Sequence, residues 1–167
     1  MVIILVGVSG SGKTSVGQAL SVLTGYSFLD ADDYHSPENI AKMSGDEPLN
    51  EADRQPWLNI LSETIDAQIN LSKQTILACS ALKKSYRVQL NKADPASVHF
   101  VYLKVAPELL ELRLKQRKGH FMSPKLLLSQ LDTLEEPTAD EATIVRVQTE
   151  TSPEIIALYI YNKLEHL

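Results

Sequence analysis

Five short apolar runs punctuate the chain, and longer segments with mixed polar and apolar positions separate them. The runs predict strands at 2–6, 27–30, 75–79, 98–103 and 143–147. Such nearly continuous apolar character is typical of strands that are covered on both faces, as in a parallel sheet. The intervening segments predict helices at 13–23, 37–43, 51–71, 83–92, 107–117, 124–133 and 153–165. The alternation predicts an α/β fold with a five-stranded parallel sheet, wrapped by helices through right-handed crossovers.

Length and composition bound the class of protein. The 167 residues fit a single domain spanning 1–167, without a repeat or linker that would divide it. The net charge of −5 argues weakly against a general nucleic-acid binder. Apolar stretches fall well short of the roughly 18 residues that suggest a membrane span, so no membrane partner is expected. A single cysteine, Cys79, excludes an internal disulfide and favours a reducing, cytoplasmic location.

A glycine-rich loop follows the first predicted strand. Residues 7–14 read GVSGSGKT and match G-x-x-x-x-G-K-[ST], with a strand before and a helix after. Glycines allow backbone N–H groups to converge on an anion, and the helix adds its positive end. A solvated turn is the alternative, which the flanking elements disfavour. The loop therefore predicts a nucleoside triphosphate site formed by Gly7, Val8, Ser9, Gly10, Ser11, Gly12, Lys13 and Thr14. Within it, Lys13 reaches the β and γ phosphates and Thr14 ligates Mg²⁺.

Three aspartates lie at the end of the second predicted strand and just after it, in the stretch FLDADDYH at 28–35. The carboxyl ends of parallel strands share one edge, so Asp30, Asp32 and Asp33 are expected near the glycine loop. Clustered carboxylates repel each other unless a metal or ligand offsets the charge. One of them could accept a proton from a hydroxyl substrate. A solvated acidic turn that leads into a helix capped by Ser36 explains the cluster equally well. Proteins with this kind of loop usually take the aspartate that binds Mg²⁺ from the third strand, which here carries no acidic residue. Asp30 is therefore the carboxylate expected to bind Mg²⁺.

Two basic segments lie farther along the chain. Lys83, Lys84 and Arg87 follow the third strand, and their position modestly favours an anionic substrate over a solvated helix face. Arg113 and Arg117 are four residues apart and so project from one helical face. In small kinases such a segment closes over the phosphates. A charged surface helix that ends at a glycine is the alternative.

These stretches together resemble the gluconate kinases, small relatives of shikimate and nucleoside-monophosphate kinases. The matching segments are GVSGSGKT, FLDADDYH, PENIAKMSGDEPLNEADRQPWL at 37–58, LACSALKKSYR at 77–87, RLKQRKGHFM at 113–122 and LDTLEEP at 131–137. The resemblance covers nearly the whole chain. It implies a three-layer α/β/α P-loop kinase fold, with a mobile lid at about 117–135, and often a homodimer. It also implies transfer of the ATP γ-phosphoryl group to the 6-hydroxyl of D-gluconate, with Mg²⁺ as the cofactor.

The resemblance further implies roles for individual side chains. Asp32 becomes the catalytic base and Asp30 the carboxylate beside Mg²⁺. The remaining implied contacts are Arg54, Lys83 and Arg87 with gluconate, Arg113 and Arg117 with the triphosphate, and His35 and His120 with the polyol. Both histidines could equally be structural, and Trp57 is expected to pack in the core.

Two rival functions remain open at this stage. The first is another small-molecule kinase, such as a shikimate or nucleoside-monophosphate kinase. The glycine-rich substrate loop of shikimate kinase has no counterpart here, since the chain contains no Gly-Gly pair. The second rival is a nucleotide-dependent switch without a small acceptor. The acidic cluster and the basic, lid-like segment count against a switch.

The glycine loop generates the first testable prediction. Lys13→Ala should lower turnover by roughly 10²-fold or more, because it removes a preorganised charge from the phosphoryl group under transfer. Steady-state kinetics measure the loss, and a melting curve checks that the variant remains folded. Near-normal turnover of the folded variant would contradict the phosphate-binding assignment.

Overall fold

A computed structural model describes residues 1–92, 94–116, 124–138, 141, 144–148 and 151–164. Its strands are β1 (Val2–Val6), β2 (Ser27–Asp30), β3 (Thr75–Ala78), β4 (Val98–Lys104) and β5 (Ile144–Gln148). They form one sheet in the order β2-β3-β1-β4-β5, and each of the neighbouring pairs is parallel. The predicted α/β class is confirmed.

Helices connect the strands. They are α1 (Lys13–Thr24), α2 (Pro37–Ser44), α3 (Glu51–Asn70), α4 (Lys84–Leu90), α5 (Pro107–Gln116), α6 (Pro124–Thr133) and α7 (Pro153–Leu164). Helix α4 ends two residues earlier than predicted, because the Asn91 N–H already closes on the carbonyl of Arg87. The sequence analysis also missed a short 3-10 helix at Ala31–Tyr34, which begins where the Asp30 side chain accepts the Asp32 N–H.

The hydrophobic core occupies both faces of the sheet, because side chains alternate along each strand. Every residue of β1 is buried. One face packs α1 and α7 against β1, through Ile3, Leu5, Val16, Leu20, Ile156, Ala157 and Ile160. The other face packs α3 and α4, through Val2, Ile4, Val6, Trp57, Leu58, Leu61, Ile65, Tyr86 and Leu90. The central strand therefore delivers the glycine loop from a rigid, doubly covered position.

A smaller third cluster fixes α6 beside the glycine loop. Buried Leu127 of α6 packs with Val8 of the loop, and Leu82 and Leu110 complete the cluster. The backbone N–H of Glu135, just after α6, donates to the carbonyl of Leu82 at 2.9 Å. Residues 117–123 of the predicted lid lie outside the described residues, and its remainder is α6 and the turn after it.

Arg87 holds a buried ion pair. Its Nε and Nη2 donate to the two carboxylate oxygens of Glu141 at 2.7 and 2.9 Å. Its Nη1 donates to the carbonyls of Ala81 and Leu82, both at 3.1 Å. The Arg87 side chain is only 2% exposed. This placement corrects the expectation that Arg87 grips gluconate, because its guanidinium is committed to the loop after β3 and to Glu141.

The buried pair generates a stability prediction. Glu141→Ala leaves the Arg87 charge buried without its partner, so the free energy of unfolding should fall by about 3–5 kcal/mol. Lys104→Ala is the matched control: its 3.0 Å pair with Glu136 has both side chains about half exposed and contributes at most about 1 kcal/mol. Chemical denaturation of both variants provides the measurement, and equal losses would contradict the assigned role.

The same pair predicts a pH dependence. The hydrogen bonds from Arg87 hold the pKa of Glu141 below its ordinary value of 4.5. A lowered pKa in the folded state means that the stabilisation is fully present above that ordinary value. It is lost as the pH falls through the lower, folded-state pKa. Glu141→Ala should therefore show a weaker loss of stability with acid than the parent protein.

Candidate active site

The glycine loop turns out of β1 with backbone angles that favour glycine. Gly7 has φ of 152°, and a Cβ there would lie 2.8 Å from Ser11 Oγ and 3.0 Å from the carbonyl of Leu103. Gly12, which caps α1, has φ of 96°. Close packing therefore excludes a side chain at Gly7, and the left-handed backbone angle disfavours one at Gly12. The loop runs directly into the N-terminus of α1. Backbone N–H groups at the start of a helix form the arrangement that binds phosphate.

Two cations lie against this loop. Lys13 Nζ donates to the carbonyls of Gly7 and Val8 at 2.9 and 3.1 Å. Arg113 Nη1, from α5, donates to the carbonyl of Gly10 at 3.2 Å. Both side chains line a cavity of about 380 Å³ that opens over the loop. The structure therefore brings together two of the predicted phosphate-binding cations. Arg117, the third, lies outside the described residues.

Asp30 and Asp32 line the same cavity. Asp30 Oδ2 accepts a hydrogen bond from Thr14 Oγ1 at 3.1 Å, and Asp30 Oδ1 accepts one from the Asp32 N–H at 3.1 Å. A hydroxyl and a carboxylate oxygen that already touch form the hard-oxygen donor set suited to Mg²⁺, which takes only one or two carboxylates besides substrate phosphates. The residues present therefore fit the expected cofactor. Asp32 is exposed to solvent at the cavity mouth.

His35 follows the 3-10 helix and stacks on Trp57, with ring centroids 4.6 Å apart and planes 10° apart. The Trp57 indole N–H donates to the carbonyl of Ala31 at 2.8 Å, so Trp57 packs in the core as expected. Burial lowers the pKa of His35 and Arg54 lowers it further, while Asp32 opposes both. The imidazole is therefore favoured in its neutral form, in which one nitrogen donates and the other accepts.

Arg54 and Lys83 meet at a residue that the sequence analysis did not single out. Glu51 Oε1 lies 2.7 Å from Lys83 Nζ and 3.8 Å from Arg54 Nη1. The Tyr86 hydroxyl donates to both Glu51 oxygens at 2.7 and 2.9 Å. The hydrogen bond from Lys83 holds the pKa of Glu51 low, whereas burial raises the pKa of Tyr86. The spacing of Glu51 and Arg54, three residues apart on one helix, was the available signal.

The cavity has further lining residues that sequence reasoning missed. They are Ser15, Val16, Ser80, Gln130, Thr151, Pro153 and Ile156. Ser80 also accepts the N–H of Gly7 through its carbonyl, at 3.3 Å. Of the predicted residues, Arg87 is diverted into the buried pair, and His120 lies outside the described residues. The structure describes no helix long and apolar enough to cross a membrane.

Comparison with known proteins gives a consistent family assignment. Residues 9–165 match the family described as shikimate kinase. The thermoresistant gluconokinase of Escherichia coli is 44% identical, over 86% of this chain and 82% of that protein. The gluconokinase of Gluconobacter oxydans is 42% identical, over 92% of this chain and 85% of that protein. The crystal structure of a gluconokinase from Sinorhizobium meliloti superimposes with a TM-score of 0.84 at 38% identity, over 98% and 95% of the two chains.

The fold, with a phosphate-binding loop between β1 and α1, defines a P-loop kinase. The aspartates and cations around one cavity are those expected of a kinase that acts on a small molecule. The chain belongs to the shikimate kinase family, and the relatives described above are gluconokinases.

Proposed function

We propose that this protein is a gluconokinase, which transfers the γ-phosphoryl group of ATP to the 6-hydroxyl of D-gluconate. The products are ADP and 6-phospho-D-gluconate. The single observation that carries the proposal is the 44% identity to a gluconokinase over 86% of the chain. The cavity supports it, because the glycine loop, Lys13 and Asp32 meet there. Such a reaction belongs to gluconate catabolism, which feeds the pentose phosphate or Entner-Doudoroff pathway.

In the proposed mechanism, the protein positions two substrates and neutralises charge. Backbone N–H groups at the α1 end of the glycine loop and the Lys13 ammonium hold the β and γ phosphates. Thr14 and Asp30 would hold Mg²⁺, which would supply positive charge to shield the phosphates. Arg113 and Arg117 offset the charge that builds up on the phosphoryl oxygens during transfer.

Asp32 acts on the acceptor. Its carboxylate accepts the proton of the 6-hydroxyl as the gluconate oxygen forms its bond to the γ-phosphorus. The bond from that phosphorus to the oxygen bridging the β and γ phosphates breaks, and ADP leaves with the electron pair. The exposed position of Asp32 at the cavity mouth leaves room for a polyol beside it.

The acceptor is an anion with many hydroxyl groups, so its site needs both cations and hydrogen-bonding groups. Arg54 and Lys83 are the proposed partners of the carboxylate, and His35 and His120 those of the hydroxyls. Glu51 competes for both cations, because it lies 2.7 Å from Lys83 Nζ and 3.8 Å from Arg54 Nη1. Arg87 takes no part in this proposal.

Three further expectations, on the lid, the cellular location and the assembly, complete the proposed function. By its resemblance to gluconate kinases, the segment at about 117–135 is expected to act as a lid that covers the phosphates and excludes water. The protein works in the cytoplasm, where ATP and gluconate are both available. A homodimer is the expected assembly, in keeping with the resemblance to gluconate kinases.

The acceptor is tested by measuring ADP formation with D-gluconate, shikimate, AMP or no acceptor, in the presence of Mg²⁺. We expect turnover with gluconate that exceeds turnover with the other acceptors by at least 100-fold, about 2.7 kcal/mol of discrimination. Shikimate is included because the matching family carries its name. Preferred turnover of shikimate would replace the proposed acceptor, and ATP hydrolysis that is independent of any acceptor would indicate a nucleotide switch.

Asp32→Asn tests the chemistry. The amide keeps the shape of the side chain but cannot take up the proton, so kcat with gluconate should fall by roughly 10²–10⁴. ATP binding should persist, because the glycine loop and Lys13 are unchanged. Asp33→Asn is the matched control, since Asp33 is the exposed neighbour in the same 3-10 helix. Unimpaired Asp32→Asn turnover, or a larger loss in the control, would show that the base is assigned to the wrong aspartate.

A further inference from the structure

Gln130 connects α6 to the glycine loop through an unusual contact. The backbone N–H of Ser9 donates to Gln130 Oε1 at 2.7 Å, across 121 positions of the chain. Ser9 is buried, and Gln130 lines the same cavity as Lys13, Asp30 and Asp32. A side chain from α6 thus engages the main chain of a loop whose N–H groups serve as phosphate donors.

The packing around Gln130 fixes its backbone. Leu127, three residues earlier on the same helical face, is buried against Val8 in the third cluster. Leu131 and Leu134 pack against this cluster, and the Glu135 N–H bonds to the Leu82 carbonyl. Gln130 therefore approaches Ser9 because the helix is anchored there, and not through a freely moving surface side chain.

The chemistry of the contact fixes the orientation of the amide. A backbone N–H can only donate, so the Gln130 oxygen must face Ser9 and its NH₂ group must face away. The bond to Ser9 is made by the amide oxygen, and among the described residues no hydrogen bond engages the NH₂ group. The side chain is half-buried. Two N–H donors are thus presented at a cavity in which phosphoryl oxygens are the expected acceptors.

We propose that Gln130 is a further catalytic residue, whose carbonyl oxygen secures the Ser9 N–H while its NH₂ group donates to the phosphoryl group under transfer. The proposal rests on the kinase function proposed above. This role requires a glutamine at position 130. A glutamate there would accept the Ser9 N–H equally well, but it has no N–H group to donate. The contact is to the transferred group, so it affects ATP and the transition state but not ADP.

Two variants separate the two halves of this role. Gln130→Glu keeps an acceptor for Ser9 and loses the donor, whereas Gln130→Met keeps the length and is uncharged but loses both. We expect kcat to fall by about 10- to 100-fold in each, the range for one hydrogen bond to a charged group. The dissociation constant of ATP should rise in both variants and that of ADP should stay within about twofold in Gln130→Met. Glu63→Gln, at an exposed position on α3 that does not line the cavity, is the control and should match the parent.

The outcomes are distinct. Parent-like kcat in both variants overturns the proposal. Normal kcat in Gln130→Glu with a loss in Gln130→Met leaves only the bond to Ser9 and overturns the donor role. A loss confined to Gln130→Glu indicates charge repulsion and also overturns it. Melting temperatures are measured for all variants, and Gln130→Asn, a shortened amide, replaces any variant that does not fold. Parent protein that fails to turn over any acceptor would refute the kinase function itself, whereas the ratio of ATP to ADP affinities still tests Gln130.

Discussion

The close approach of the main chain at Gly7 is the constraint on which the site depends. No side chain fits between Ser11 and the Leu103 carbonyl, so the chain can leave β1 and enter α1 in one tight turn. The carbonyls and N–H groups of that turn are therefore available to side chains from neighbouring helices. Lys13, Arg113 and Gln130 all bond to the loop, from three different helices. The loop thus fixes the positions of side chains from separate helices relative to one another.

Electrostatic balance in the cleft is local, and the net charge of −5 says little about it. Arg54 and Lys83, the proposed partners of the acceptor, both contact Glu51, and the Tyr86 hydroxyl donates to the same carboxylate. Under the proposed function, an anionic substrate would meet cations that are already ordered, and would compete with a carboxylate of the protein rather than with bulk water alone. Preorganisation of this kind lowers the entropy lost when a ligand binds.

The elements of the fold could be predicted from the sequence because local signals agreed with the final structure. Apolar runs marked the strands, and proline at the first turn marked several helices. The 3-10 helix escaped prediction because it depends on one side-chain bond, from the Asp32 N–H to Asp30, rather than on a periodic pattern. The glycine loop and the meeting of Thr14 with Asp30 followed from motif spacing and from strand ends that share an edge.

The rest of the site could not be predicted, since it depends on contacts between distant segments. Arg87 looked like its basic neighbours, and only the fold shows that Glu141 lies beside it. A lone Gln130 carries no sequence signal at all, because its importance comes from the packing of α6 against Val8. Sequence spacing predicts partners within one helix or at one sheet edge, but it is silent on partners 54 or 121 positions apart.

The buried pair of Arg87 and Glu141 has a consequence for how this chain can diverge. Each charge is shielded from water and satisfied by the other, so a change at one position strands a charge at the other. Related sequences that remain stable must keep both residues or replace both of them together. The two positions are therefore expected to covary, although neither is assigned to a substrate, and an apolar pair of similar volume is the most accessible alternative.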